Sequence, residues 1–188
     1  MHTPELRPLR RPSPDQAHRT LAAAQLFDRL AGYGVAFVGS IPLDVHNPGA
    51  DADIVCSAED LDSLAESLET HYGACDGFRT RLGRMHATPT LTARFELGPL
   101  PVEVFAQPRP VAVQEAFVHF DIESRLLRLH GGYLRRYIRR LKAEGVDTET
   151  AFARVFRLDG EPHDRLYRLA SASDRELAEL SPCIRPSG

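Results

Sequence analysis

The sequence predicts an α+β fold, with a mixed β-sheet core, flanking helices and a helical C-terminal half. Two observations carry this prediction. Short apolar runs of strand length, VAFVGS, DADIVC and LPVEVFAQ, all fall before Pro108 and are separated by Gly- and Pro-rich turns. After Gln107-Pro108-Arg109-Pro110 the pattern changes, and Val113, Phe117, Phe120 and Leu127 keep helical spacing.

Taken in order, residues 1–14 read as a loose tail, because Pro4, Pro8, Pro12 and Pro14 obstruct regular structure. A core spans 15–112. Its first helix runs from Asp15 to Ala31 with Leu21, Ala24, Leu26 and Leu30, and Gly32 and Gly34 end it. A strand then leads to Ser40, and a second strand carries Asp51 and Asp53. Ser57 with Asp60 resembles a capping box for a helix whose stripe is Leu61, Leu64 and Leu68. Strands follow at Gly77–Leu82 and Thr90–Leu97, and Gly98-Pro99-Leu100-Pro101 turns the chain into the strand with Glu103. Residues 113–180 form the helical part of the same compact unit. A separate helix from Gly132 to Glu144 lies within it, and 181–188 is a tail.

Three acids are placed where chemistry needs them. On an extended chain Asp51 and Asp53 share one face, while Ala52, Ile54 and Cys56 go to the other. Glu103 interrupts a β-branched run where burial would prefer an apolar residue. Residues two apart on a strand are about 6.5–7 Å apart and a neighbouring strand lies about 4.8 Å away, so the three carboxylates can build a small cage. Two Mg²⁺ ions, or Mn²⁺ in their place, fit a cage of this size. Ahead of the acids, Gly39 and Ser40 end a buried strand where backbone N–H groups and a hydroxyl can approach a phosphate. Each motif alone has a plainer role: a polar turn, or an edge-strand acid facing water. Their joint order favours a site.

The ordered set of Gly-Ser turn, acid-x-acid pair and later acid in an apolar strand resembles the DNA polymerase beta-type nucleotidyltransferase superfamily. The segments GSIPLDVHNPGADADIVC, VEVFAQPRPVAVQEAFVHF and IESRLL resemble more closely a bacterial family called domain of unknown function 4269. The resemblance implies a nucleotidyltransferase-like core, phosphate binding at Gly39 and Ser40, and metal binding and catalysis at Asp51, Asp53 and Glu103. It also marks Gln114, His119 and Glu123 as a second group that orients an acceptor hydroxyl or a base, or takes the hydroxyl's proton. Two positions depart from the superfamily pattern: Ala50 stands directly before the first acid, and Ile41-Pro42 follows the turn.

The expected activity is metal-dependent transfer of a nucleoside monophosphate from a nucleoside triphosphate to an acceptor hydroxyl on a small molecule, an RNA or a protein. Two alternatives stand beside it: hydrolysis of nucleotides or dinucleoside polyphosphates, and a nucleotide-binding module without turnover. The net charge of −3 argues against indiscriminate nucleic-acid binding. Arg135, Arg139 and Lys142 line one helix face that is either solvated or meets phosphates. No apolar run reaches membrane-span length, and the Arg- and Pro-rich start has no signal-peptide core. The three cysteines have no paired short spacing, which fits reduced thiols. A cytoplasmic protein is expected.

Overall fold

The computed structural model describes residues 11–184. Most of the N-terminal segment expected to be a tail, and the end of the C-terminal one, lie outside the described residues. Its strands are β1 (Ala36–Val38), β2 (Ala52–Ser57), β3 (Arg79–Met85), β4 (Thr88–Leu97) and β5 (Leu100–Gln107). Its helices are α1 (Pro14–Ala23), α2 (Leu26–Leu30), α3 (Leu61–Tyr72), α4 (Glu115–Ala143), α5 (Thr148–Phe156), α6 (Pro162–Arg168) and α7 (Asp174–Glu179). The sheet order is β1-β2-β5-β4-β3, with β2 and β5 parallel and every other neighbour pair antiparallel. This is the mixed α+β architecture that the strand runs and helical spacing predict.

Period-two alternation decides the two faces of the sheet. Ala52, Ile54 and Cys56 of β2 and Val102, Val104 and Ala106 of β5 point to one side and are almost fully buried. Leu21, Leu26 and Leu30 of α1 and α2 and Leu64, Leu68 and Tyr72 of α3 cover that side. Each buried leucine contributes about 1.5–3 kcal/mol. The opposite face carries Asp53, Val55, Glu103 and Phe105, which line a cavity.

Three local expectations are corrected. Pro14 starts α1 instead of blocking it, because a proline at the first helical position loses no needed N–H, and Ser13 with Gln16 forms the capping box. The single helix expected from Asp15 to Ala31 is two, since Gln25 adopts φ 57° between them. The cap of α3 is Asp60, whose carboxylate accepts from Ser63 N at 3.0 Å; Ser57 ends β2.

The long helix α4 holds the expected division. Gly131 has φ 77° and ψ −169° inside it, so the helical path is broken just before Gly132. Beyond the break, Leu134 and Ile138 join Ile122, Leu126 and Phe152 in a second buried cluster that also takes in Leu43 and Val45. The loop after Gly39-Ser40 is therefore docked on the helices. Arg135 Nε donates to Leu43 O at 3.2 Å, Arg139 Nε donates to Asp44 O at 2.6 Å, and Arg139 also pairs with the Asp44 carboxylate. Asn47 Nδ2 donates to Lys142 O at 2.8 Å, and Lys142 Nζ donates to Thr148 Oγ1 at 2.6 Å. Arg135 and Arg139 thus fasten the loop that precedes β2, while the Lys142 ammonium turns to the start of α5.

Candidate active site

Gly39 turns the chain out of β1 with φ 77°, a left-handed conformation that favours glycine. A Cβ at this position would stand 2.0 Å from Asp53 Oδ2 and 2.9 Å from Asp53 Cγ. Only a residue without a side chain lets the turn lie against this carboxylate. Docking of Leu43 and Val45 into the second cluster, with Val45 N donating to Ser40 O at 3.0 Å, holds the turn in place.

Asp53 pairs with Val38 on one side and with Glu103 on the other. Directly paired residues of adjacent strands present their side chains to the same face, so the two acids meet although fifty residues separate them in the chain. Glu103 in turn lies opposite Arg94 of β4, whose Nε donates to Glu103 Oε2 in an ion pair. Gly39, Ser40, Asp53 and Glu103 all line one cavity of about 510 Å³.

Asp51 is placed differently. The Pro48-Gly49 turn delays extension of the chain, β2 begins at Ala52, and Asp51 is not among the residues lining the cavity. Its charge nevertheless reaches Asp53. Burial foremost, then repulsion from Glu103 and Asp51, pushes the Asp53 carboxyl from its ordinary 3.8 up to about 7.

This shift has a thermodynamic sign. Between the two values the folded chain holds a proton on Asp53 that the unfolded chain has released, so stability falls as pH rises through that window. Glu123, pushed well above its ordinary range by burial, acts in the same direction. In metal-free buffer the melting temperature is therefore expected to drop between about pH 4 and pH 7, and Asp53→Asn should shrink the drop. An equally steep decline in the variant would show that Asp53 is not the group responsible.

The second group of expected residues divides. Gln114 is fully buried and does not line the cavity. Its Nε2 donates to Cys56 O at 2.7 Å and to Arg109 O at 3.0 Å, so it ties the end of β2 to the segment before α4. His119 and Glu123, one turn apart on α4, do line the cavity and are 4% and 2% exposed. His119 Nε2 lies 3.1 Å from His163 O, and its Nδ1 lies 3.8 Å from Glu149 Oε1. Glu123 Oε1 has no hydrogen-bond partner among the described residues.

Arg94, beside Glu103, and the cavity-lining Glu149 and His163 escaped the sequence reading. Arg94 carried the same signal as Glu103, a charge inside an apolar strand, but its partner depends on the β4–β5 register. Glu149 and His163 lie in the first turns of α5 and α6, where an acid or a polar residue ordinarily only favours the helix start. Nothing in their spacing connects them to His119.

With this geometry established, comparison with known proteins places the fold. Similar solved structures include the Cid1 poly(U) polymerase, with a TM-score of 0.56, 12% identity, and coverage of 78% of this chain and 50% of that one. Cid1 bound to MgGTP matches with a TM-score of 0.51, 13% identity and coverage of 78% and 44%. The GLD-2/RNP-8 complex matches with a TM-score of 0.52, 14% identity and coverage of 91% and 64%. The chain thus spans between 44% and 64% of the length of these structures. No curated protein sequence matches it significantly. The fold is nucleotidyltransferase-like. Within that class, the chain belongs to the family described as Domain of unknown function (DUF4269), whose model matches residues 19–169. Among the described residues, no helix is long and apolar enough to cross a membrane.

Proposed function

We propose that the protein is a metal-dependent nucleotidyltransferase that moves a nucleoside monophosphate from a nucleoside triphosphate to an acceptor hydroxyl. The observation that carries this reading is the lateral pairing of Asp53 with Glu103 beside the Gly39-Ser40 turn, at one cavity. The donors suit a hard divalent cation, because all are carboxylate oxygens. The raised Asp53 carboxyl is consistent with this, since burial foremost and then repulsion from Glu103 and Asp51 disfavour its charge, and a bound cation would offset both. Asp53 and Glu103, with Asp51 just before β2, would hold Mg²⁺, with Mn²⁺ as a substitute. Bound there, such ions supply neutralisation of phosphate charge and activation of the acceptor oxygen.

The rest of the work belongs to the chain. The Gly39-Ser40 backbone and the Ser40 hydroxyl would bind the triphosphate, and the close approach of Gly39 to Asp53 would bring the anion near the acids. Arg94 pairs with Glu103 and offsets its charge. Arg109 supplies a guanidinium to the cavity wall. The similar Cid1 structure is described as MgGTP-bound, which supports a triphosphate as the donor. The unpaired thiols of Cys56, Cys75 and Cys183 fit a cytoplasmic setting.

The test is incubation of the protein with each of the four labelled triphosphates, Mg²⁺ and a cell extract, followed by mass spectrometry of the products. The expected result is an acceptor, whether small molecule, RNA or protein, that has gained one nucleotide while pyrophosphate is released. Free monophosphate without an adduct would replace this reading with hydrolysis. Calorimetric binding of nucleotide without any product would replace it with a binding module, the reading that the Glu103–Arg94 ion pair favours.

A further inference from the structure

We propose that His119, Glu149 and His163 form a binding site for a divalent transition-metal ion of the zinc type, separate from the Asp53–Glu103 pair and independent of the transferase reading. One ligand atom from each of the three lies within 4.8 Å of the others, and all three side chains line the cavity. Ligands at about 2.0–2.2 Å from a shared ion stand roughly 3–3.5 Å apart in a tetrahedral site. The 3.8 Å between His119 Nδ1 and Glu149 Oε1 is already close to that spacing. His163 is only partly buried, so its ring has room to complete the approach.

The hydrogen bonding of His119 supplies an independent argument. A backbone carbonyl only accepts, so the 3.1 Å contact between His119 Nε2 and His163 O requires the proton on Nε2. In the neutral ring Nδ1 is then a bare lone pair, and it faces a carboxylate oxygen that is also an acceptor. Two acceptors facing each other need a cation between them or a second proton on the ring. Fixing a metal-ligating histidine through a carbonyl bond from its other nitrogen is the usual support in metal sites.

The unpartnered, buried Oε1 of Glu123 strengthens the case for a cation. After burial, Glu149 is the strongest like charge acting on Glu123, and a cation bound at Glu149 would add to the partial relief that Lys142 gives. Two imidazoles and a carboxylate select zinc-like ions over Mg²⁺, which prefers oxygen alone. Three protein ligands also leave a coordination position open to water or to an oxygen of a bound molecule.

The experiment is calorimetric titration of the chelator-treated full chain with Zn²⁺ in excess Mg²⁺, repeated on Glu149→Gln, His163→Ala and Asp53→Asn, each checked for native circular dichroism. Wild type and Asp53→Asn are expected to take up one equivalent of zinc with similar affinity. Glu149→Gln and His163→Ala should each weaken uptake by at least about a hundredfold, more than the loss of an outer-shell partner. Titration with Co²⁺ should give visible absorption bands that vanish in the same two variants. No zinc uptake by the folded wild type would overturn the site. Uptake that survives His163→Ala, or is lost in Asp53→Asn, would also overturn it.

Discussion

Asp53→Asn and Glu103→Gln are each expected to lower nucleotidyl transfer by at least about 10³-fold, or about 4 kcal/mol of transition-state stabilisation, while the chain stays folded. Each change removes one negative charge from a pair that the β2–β5 register sets side by side. A neutral amide oxygen holds Mg²⁺ far less firmly than a carboxylate, because it brings no charge to offset that of the ion. Folding survives for different reasons at the two positions. Asp53→Asn removes the buried charge that Glu103 and Asp51 repel, so it should leave stability unchanged or raise it above neutral pH. Glu103→Gln loses the ion pair with Arg94, which is about half exposed, and this costs under about 1 kcal/mol. Asp51→Asn should lower transfer as well, acting from just before β2. Full activity of all three variants with labelled triphosphates would remove the acids from the mechanism.

Gly39→Ala is expected to damage stability and transfer together. The backbone at φ 77° costs a residue with a Cβ about 1–2 kcal/mol, and the methyl group would also overlap Asp53 Oδ2. Asp53 cannot retreat freely, because its backbone is paired with both Val38 and Glu103. A total loss of about 2–3 kcal/mol is expected, lowering the melting temperature by about 4–12 °C for a chain of this size. Transfer should fall by at least about tenfold, because a displaced carboxylate misplaces what it holds. Combining Gly39→Ala with Asp53→Ala isolates the contact, since removing the carboxylate leaves only the backbone cost. If Gly39→Ala costs as much stability without the Asp53 carboxylate as with it, the close approach plays no part.

Much of the fold was legible because its signals are local. The alternation in DADIVC and LPVEVFAQ separates an apolar face from an acidic one, and the structure buries Ala52, Ile54 and Cys56 as that alternation requires. The leucine stripe of α3 and the interruption of α4 beside Gly132 were readable for the same reason. Errors arose where local chemistry has two solutions. Pro14 can break a helix or begin one, and Asp60 competes with Ser57 as the cap. β2 begins at Ala52, one residue after Asp51, although the spacing of Asp51 from Asp53 suits a strand.

The candidate site was legible only in part. Gly39, Ser40, Asp53 and Glu103 stand out as small or charged residues at the ends or inside of apolar runs. Gln114 stands out equally in the family pattern, yet its amide is engaged by two backbone carbonyls. The arginines of α4 read as a surface face because spacing alone does not reveal a loop docked against it.

By itself the sequence determined where the strands lie and where helices take over, which face of the main strands is apolar, and where the chain needs a glycine, because side-chain periodicity and backbone sterics act within a few residues. Only the tertiary structure decided that Asp53 lies beside Glu103, that Arg94 completes the pair, and that Glu149 and His163 come to His119. Those meetings join segments far apart in the chain. They depend on which apolar faces bury one another and in what register, and that choice is made by the whole core at once.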